Sequence, residues 1–298
     1  MQLIKVKLMV VALALLAVAA SNGSPLFYNQ VRWKSSHNSY AKDAGIKKQL
    51  GEYRFRSIEF DLHAKKDLLG IKRAPAGDWF VFHELIDRKT NCELLSQCLA
   101  EIAEFHRQNP RHHVITVFFD IKDGLHEKSG HSGADLYRAL KEGLPEDSIE
   151  APADLMHDCP GAANLQEAVT GDGCHWPALS ALRGRFILVV ASGRNKLTRA
   201  GYDPHRHPVF LVSTDLAPGG ISRNPDRVFF NMRGPKPFGQ ELKKAGFVAR
   251  AYGLDSKDDF EKAKDLGFHH LAMDHVNPAL HPWAETDGKN GEPYEKIK

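Results

Sequence analysis

Short apolar runs recur along the chain, and several of them end in a side chain capable of chemistry. The first leads into WKSSHNSY, which carries His37 and Asn38; SIEFD carries Glu59 and Asp61, WFVFHE carries His83, and VITVFFD ends in Asp120. Between Arg56 and Leu62 the residues alternate, so Ile58 and Phe60 face one way while Ser57, Glu59 and Asp61 face the other. A period of two therefore puts both carboxylates on one side of a strand. Val114 to Asp120 is almost continuously apolar, the pattern of a strand covered on both faces in a parallel sheet.

Extending this reading predicts strands at Tyr28–Ser35, Arg56–Leu62, Trp79–His83, Val114–Asp120, Arg185–Ala191, Arg227–Met232, Phe247–Tyr252 and His269–Asp274. Val209–Ser213 is assigned to an accessory loop. Leu94, Leu95, Cys98, Leu99, Ile102 and Phe105 recur at helical spacing until Asn109-Pro110 stops the helix, and further helices are expected at Asp43–Tyr53, Ala134–Leu144 and Asp258–Leu266. The stretch from His63 to Gly77 is basic, contains Gly and Pro, and looks too irregular for a crossover helix. About eight strands alternating with helices predict an α/β fold closed as a TIM-type (β/α)8 barrel, somewhat irregular, rather than an open doubly wound sheet. No GxGxxG or GxxxxGK[ST] sequence supports the open alternative.

The beginning of the chain changes the picture of where it works. Lys5 and Lys7 precede an apolar run from Leu8 to Ala20, followed by small residues through Ser24. That run is shorter than the roughly 20 residues a spanning helix needs, so residues 1–23 read as a signal peptide and 24–298 as a single catalytic domain, secreted or periplasmic. Loss of the two leading lysines takes the formal charge from +3 to about +1, which argues against nucleic acid as a partner. No later run is apolar enough for a transmembrane segment, and a monomer is expected. Four cysteines in an exported chain imply two disulfides, with neighbour pairing of Cys92 with Cys98 and Cys159 with Cys174 the simplest of three connectivities. Within one helix Cys92 and Cys98 would stand roughly 9 Å apart along the axis, too far to bridge, so Cys92 belongs in a turn ahead of the helix.

Carboxylates and histidines at successive strand ends point to one shared polar site, because such groups are costly in a core unless paired or bound to metal. Asn38, Glu59, Asp61 and Asp120 offer hard oxygen donors and no soft ones, a set suited to Ca²⁺ or Mg²⁺ rather than Zn²⁺. His37 and His83 are then free to bond a substrate and move protons. Taken singly, each histidine reads as well as a satisfied core residue and each acid as a solvated one; it is their convergence that carries weight.

The order HNSY, then ExD on a strand, then a strand ending in His, then VITVFFD, resembles the barrel of the phosphatidylinositol-specific phospholipases C, above all the secreted calcium-dependent bacterial branch. The likeness extends to TNCELLSQCLAEI, NPRHHVITVFFDIKD and GFVARAYGLDSKDDFEKAKDLGFHHLAMD. It implies a phosphodiesterase that cleaves phosphatidylinositol to diacylglycerol and a (cyclic) inositol phosphate at a membrane surface. His37 and His83 would be catalytic and Asn38, Glu59, Asp61 and Asp120 the Ca²⁺ ligands; Glu59 is a candidate catalytic base, with Asp61 or a bound water open as alternatives. Relatives often carry Glu where this chain has Asp120. Arg250, Tyr252 and Lys122 would contact substrate, although Arg250 reads equally well as the partner of a barrel acid, and AYGLD departs from the family's usual text at that point. Two alternatives stay open: a glycerophosphodiester phosphodiesterase, suggested by Asp120-Ile-Lys122, and a non-catalytic secreted binding protein on the same scaffold.

Overall fold

The structure, a computed structural model, describes residues 24–67, 69–192, 197, 201–213, 224–288 and 290–298. The expected signal peptide at 1–23 lies outside these residues. Ten strands are present among them: β1 Val31–Ser36, β2 Ser57–His63, β3 Phe80–Val81, β4 Ile115–Ile121, β5 Phe186–Ser192, β6 Phe210–Ser213, β7 Phe229–Arg233, β8 Val248–Tyr252, β9 His270–Met273 and β10 Tyr294–Lys296. Eight of them, all but β3 and β10, run parallel in the order β1-β9-β8-β7-β6-β5-β4-β2. A β1–β2 pairing through Ser35 and Ser57 closes the barrel, and the two hydroxyls hydrogen-bond at 2.8 Å. The TIM-type barrel expected from the alternation is thus the fold.

The barrel's membership corrects the reading of two strands. Trp79–His83 is not a barrel strand; only Phe80 and Val81 are extended, and they pair antiparallel with His63 and Leu62 of β2. An antiparallel neighbour needs no crossover helix, which is why the irregular stretch after His63 suffices to connect them. Conversely Val209–Ser213 is no accessory loop. It contains β6, paired parallel between β5 and β7 and buried throughout. The count of eight was right and its composition was not.

Helices α1 Ile46–Gly51, α2 Leu95–Gln108, α3 Gly133–Gly143, α4 Pro152–Asp158, α5 Leu165–Thr170, α6 Phe238–Lys244 and α7 Lys257–Asp265 surround the strands. The alternation along β2 and β4 now has a physical meaning. Ile58, Phe60 and Leu62 join Val117, Phe119 and Ile121 in a core with Leu95, Leu99 and Ile102 of α2 and Leu136 and Leu140 of α3. The opposite faces turn inward, where Tyr28 donates or accepts across to Thr116 at 2.6 Å and His270 at 3.0 Å and fills the amino end of the barrel.

Cys92 bridges Cys98, with Cα atoms 5.3 Å apart, and lies in the turn before α2; Cys159 bridges Cys174 across α4 and α5. Both neighbour pairings are therefore present. Among the described residues no helix is long and apolar enough to cross a membrane.

Candidate active site

Strand register decides which side chains meet at the carboxyl end of the barrel. Asp61 of β2 stands opposite Asp120 of β4, and Glu59 lies two residues earlier on the same inward face. Ser36 of β1 stands opposite Met273 of β9, so His37 and Asp274, the next residue on each chain, emerge side by side. The Nδ1–H of His37 donates to the Asp274 carboxylate at 3.2 Å, which leaves Nε2 facing Glu59 at 3.9 Å. Its ring stacks on Tyr252 at the end of β8, with centroids 5.4 Å apart.

Asn38 adopts a left-handed backbone conformation (φ 47°, ψ 55°), which Asn tolerates better than most residues. That turn aims its backbone N–H at Glu59, 3.2 Å away. The Tyr40 hydroxyl donates to Asp61 at 2.9 Å and lies 3.1 Å from the Asn38 side-chain oxygen, tying the two together. Burial and the Asp61 charge both push the Tyr40 phenol up, so it stays a donor.

His83 arrives by the antiparallel pairing of β3. The chain running back from Val81 brings it level with Asp61, and its Nδ1–H donates to that carboxylate at 3.0 Å. This bond raises the His83 pKa above its ordinary value, against an opposing effect of partial burial. Lys122 places its ammonium between Asp61, at 3.1 Å, and Asp120, at 2.7 Å. Asp61 is 1 % exposed, so these charges interact with little solvent screening. Burial raises the Asp120 carboxyl, with Lys122 opposing.

Arg250, with no exposed surface, lies beneath this layer over the Phe118 ring. It donates to Glu59 at 2.8 and 3.4 Å and to Asn231 at 3.1 Å. Burial alone would raise the Glu59 pKa, but the Arg250 charge, with His37 and the Asn38 N–H, overcomes it and holds the carboxyl well below the usual range. Of the two roles the sequence left open for Arg250, pairing with a barrel acid is the one this arrangement displays.

All nine residues singled out from the sequence thus belong to one connected cluster. Three contributors were missed. Asp274 ends a strand in an acid like the other candidates, and barrel closure, which makes β9 the neighbour of β1, would have found it. Lys42 also pairs with Asp274, and the His37 hydrogen bond together with the Lys42 ammonium keeps its carboxyl well below the ordinary range despite burial. Tyr40 carried no signal beyond its place in HNSY.

The donor set tests whether a hard divalent cation fits. Glu59, Asp61, Asp120 and the Asn38 oxygen are all oxygen ligands, and three clustered carboxylates require positive charge, which Lys122 and Arg250 here supply. Among the described residues no three Asp, Glu, His or Cys side chains form a ready-made cage. Each acid is instead turned to a protein cation or donor. Charge and donor chemistry fit Ca²⁺, and Lys122 marks where positive charge is demanded.

Comparison with known proteins settles the family. The family model described as Phosphoinositide phospholipase C, Ca2+-dependent matches residues 78–251, more than half of the chain. The chain belongs to that family. It is therefore a phosphodiesterase of phosphoinositide phospholipase C type and calcium-dependent as the family is, which sets aside both the glycerophosphodiesterase and the non-catalytic alternatives. No curated protein matches the sequence. The calcium-dependent phosphoinositol-specific phospholipase C of a Gram-negative Pseudomonas species superposes with a TM-score of 0.74 at 20% identity, over 91% of this chain and 95% of that one. Its myo-inositol complex gives 0.71 at 22% identity, over 83% and 89%. The Ca²⁺-dependent phosphatidylinositol-specific enzyme of Streptomyces antibioticus gives 0.66 at 17% identity, over 85% and 96%. At these identities the superpositions speak for the fold, and they agree on a phospholipase C barrel.

Proposed function

We propose that the protein is exported and cleaves phosphatidylinositol on the diacylglycerol side of phosphorus, with a ring hydroxyl of the inositol as the first nucleophile. The observation that supports this reading is the pair of imidazoles, His37 and His83, each held through Nδ1 by a buried or half-buried acid on opposite sides of the Glu59–Asp61 strand. Each keeps Nε2 for a substrate. In this assignment the ring oxygen bonds to phosphorus while the bond from phosphorus to the glycerol oxygen breaks. His83 Nε2 protonates the departing oxygen, and His37 Nε2 donates to the phosphoryl oxygens. Glu59 accepts the ring hydroxyl's proton; Arg250 keeps it ionised but also makes it a weak base, so the transfer depends on the hydroxyl being made more acidic. Asn38, Glu59, Asp61 and Asp120 are assigned as the residues that hold Ca²⁺. When bound, the ion supplies charge neutralisation at the phosphate and a more acidic ring hydroxyl. Tyr252 orients His37, and Lys122 is assigned to the phosphate once released from the acids.

Purified protein offered a panel of phospholipids in Ca²⁺ or in chelator tests the substrate class. Cleavage confined to inositol lipids, at least about a hundredfold faster with Ca²⁺, is expected. Equal cleavage of choline or ethanolamine lipids would refute the assignment.

The loops at this end also suit a membrane surface. The large hydrophobic side chains most exposed among the described residues are Leu69, Ile71, Ile86 and Leu280, at 84, 77, 92 and 70 %. They lie on the segments that follow β2, β3 and β9; Asp61 is near the end of β2, and His83 and Asp274 come just after β3 and β9. Lys72, Arg73, Arg88 and Lys89 are exposed on two of those segments and would attract anionic headgroups. Changing all four apolar residues to Ser is expected to slow cleavage of vesicle lipid by roughly tenfold or more, since each inserted side chain stabilises binding by about 1.5 kcal/mol or more. Turnover of a monomeric short-chain substrate should change less than about twofold. A parallel loss on both substrates would contradict the docking role.

A further inference from the structure

At the opposite, amino end of the barrel, the segment between α2 and β4 and the residue preceding β2 border an open recess of about 410 Å³. It is lined by Arg56, Phe105, Asn109, Arg111, His112 and His113, with Pro110 at its edge. Arg56 is only 8 % exposed. Its Nη1 donates to the carbonyls of Leu50 and Phe55, both at 2.7 Å, while its buried Nε has no hydrogen-bond partner. Buried charges are ordinarily paired, yet no acid among the described residues pairs with this one. Two acids that pair with residues near the recess are engaged elsewhere: Asp287 with Arg54 at 2.7 Å, and Glu292 with His113 at 2.6 Å and Arg183 at 3.8 Å. Exposed Arg111, at the mouth, has no acidic partner among the described residues either.

The neighbouring groups register the same excess of positive charge. Burial lowers the Arg56 pKa to about 10, the charges of Arg54 and Arg183 adding to the effect and that of Asp287 opposing it, and burial, with the charges of His106, Arg56 and Arg183, lowers His112 to about 4. His112 is fixed as a neutral ring, its Nδ1–H donating to the His113 carbonyl at 2.7 Å while Nε2 lies 3.1 Å from His106 Nδ1. With Nη1 bonded to carbonyls and Nε shut away from solvent, the donors left to the recess are Arg56 Nη2 and the Arg111 guanidinium, and no acid lines it.

We infer that this recess binds a small phosphate-type oxyanion, held by the Arg56 and Arg111 guanidinium groups over the Phe105 and Pro110 walls. The fork of a guanidinium matches two phosphate oxygens, and a partly desolvated site strengthens such bonds. The site is separate from the cluster at the carboxyl end and does not depend on the reaction proposed there. Its occupant is either free phosphate or the phosphate of a small polyol ester, since the recess is larger than one phosphate group needs.

Titration of the intact chain with inorganic phosphate at constant ionic strength, read by calorimetry and by the His112 ring-proton resonances, tests the inference. Saturable binding of one ion that shifts His112 is expected. Arg111→Gln and Arg56→Met should each weaken it by roughly tenfold or more. Should Arg56→Met fail to fold, Arg111→Gln decides the matter, because that side chain is exposed. An inositol monophosphate binding more tightly than phosphate would identify an ester as the occupant, and equal or weaker binding the free ion. Absence of saturation, or binding that leaves His112 unmoved and is insensitive to both variants, would overturn the site, the latter placing the ion in the catalytic cleft.

Discussion

Asp61→Asn is expected to lower kcat by about three orders of magnitude at saturating calcium while leaving the barrel folded. The carboxylate is almost fully buried and receives the Tyr40 hydroxyl, the His83 Nδ1–H and the Lys122 ammonium. All three donors converge on one oxygen, Oδ2, so an amide of the same shape keeps an acceptor there but removes the negative charge that two of them, His83 and Lys122, are paired with. His83 then loses the charge that raises its proton affinity. Weakening a general acid typically costs about 10²- to 10⁴-fold, and weakened cation binding shows separately as a higher calcium requirement. Tyr40→Phe, which removes one donor and no charge, should cost far less, about tenfold or below. Steady-state kinetics across a calcium titration separate the two effects. An Asp61→Asn enzyme within tenfold of the parent would show that Asp61 is not the support of the proton donor.

Arg250→Met should destabilise the fold by about 3–5 kcal/mol, because it leaves Glu59 ionised inside the barrel with its main counter-charge removed. For a domain of this size that corresponds to a fall in Tm of roughly 10 °C. The double variant Arg250→Met with Glu59→Gln should recover most of the loss, since removing both charges leaves none uncompensated. The pH dependence has a definite sign. Glu59 is depressed in the folded protein, so the stability from this pair is present above the ordinary carboxylate range and is lost as the pH falls toward the depressed value. Thermal unfolding of the single and double variants checks the coupling. Additive losses would contradict it.

Helices were legible where the apolar spacing was sustained, and the short α4, α5 and α6 went unpredicted. The apolar spacing from Leu94 to Phe105 and the stop at Asn109-Pro110 predict α2 to within a residue or two, and the bridging limit places Cys92 ahead of it. Strands were legible as runs but not as partners. VFFDI and WFVFH look alike in composition, and only pairing distinguishes a barrel strand from a two-residue hairpin edge. The absence of a crossover helix after His63 was the available signal against Trp79–His83 as a barrel strand. Val209–Ser213 lacked any readable helix beside it and was misassigned for that reason.

Within the site, residues brought together along one strand were readable, because the period of two is local. Contacts set by barrel closure were not. Asp274 meets His37 only because β9 neighbours β1, and Arg250 reaches Glu59 only across the barrel interior. Charge balance followed the same rule: three acids were visible in the sequence, but which cations held them depended on the fold.

The most direct test of the account is phosphorus NMR during early turnover of phosphatidylinositol vesicles. With Ca²⁺, a five-membered cyclic inositol phosphate should appear before any acyclic product, because an aligned ring hydroxyl competes at an effective molarity of about 10⁵ M or more. A substrate methylated at that hydroxyl should not react, and chelator should abolish the signal. Rapid cleavage of the methylated lipid, or full activity in chelator with no cyclic phosphate, would contradict the account.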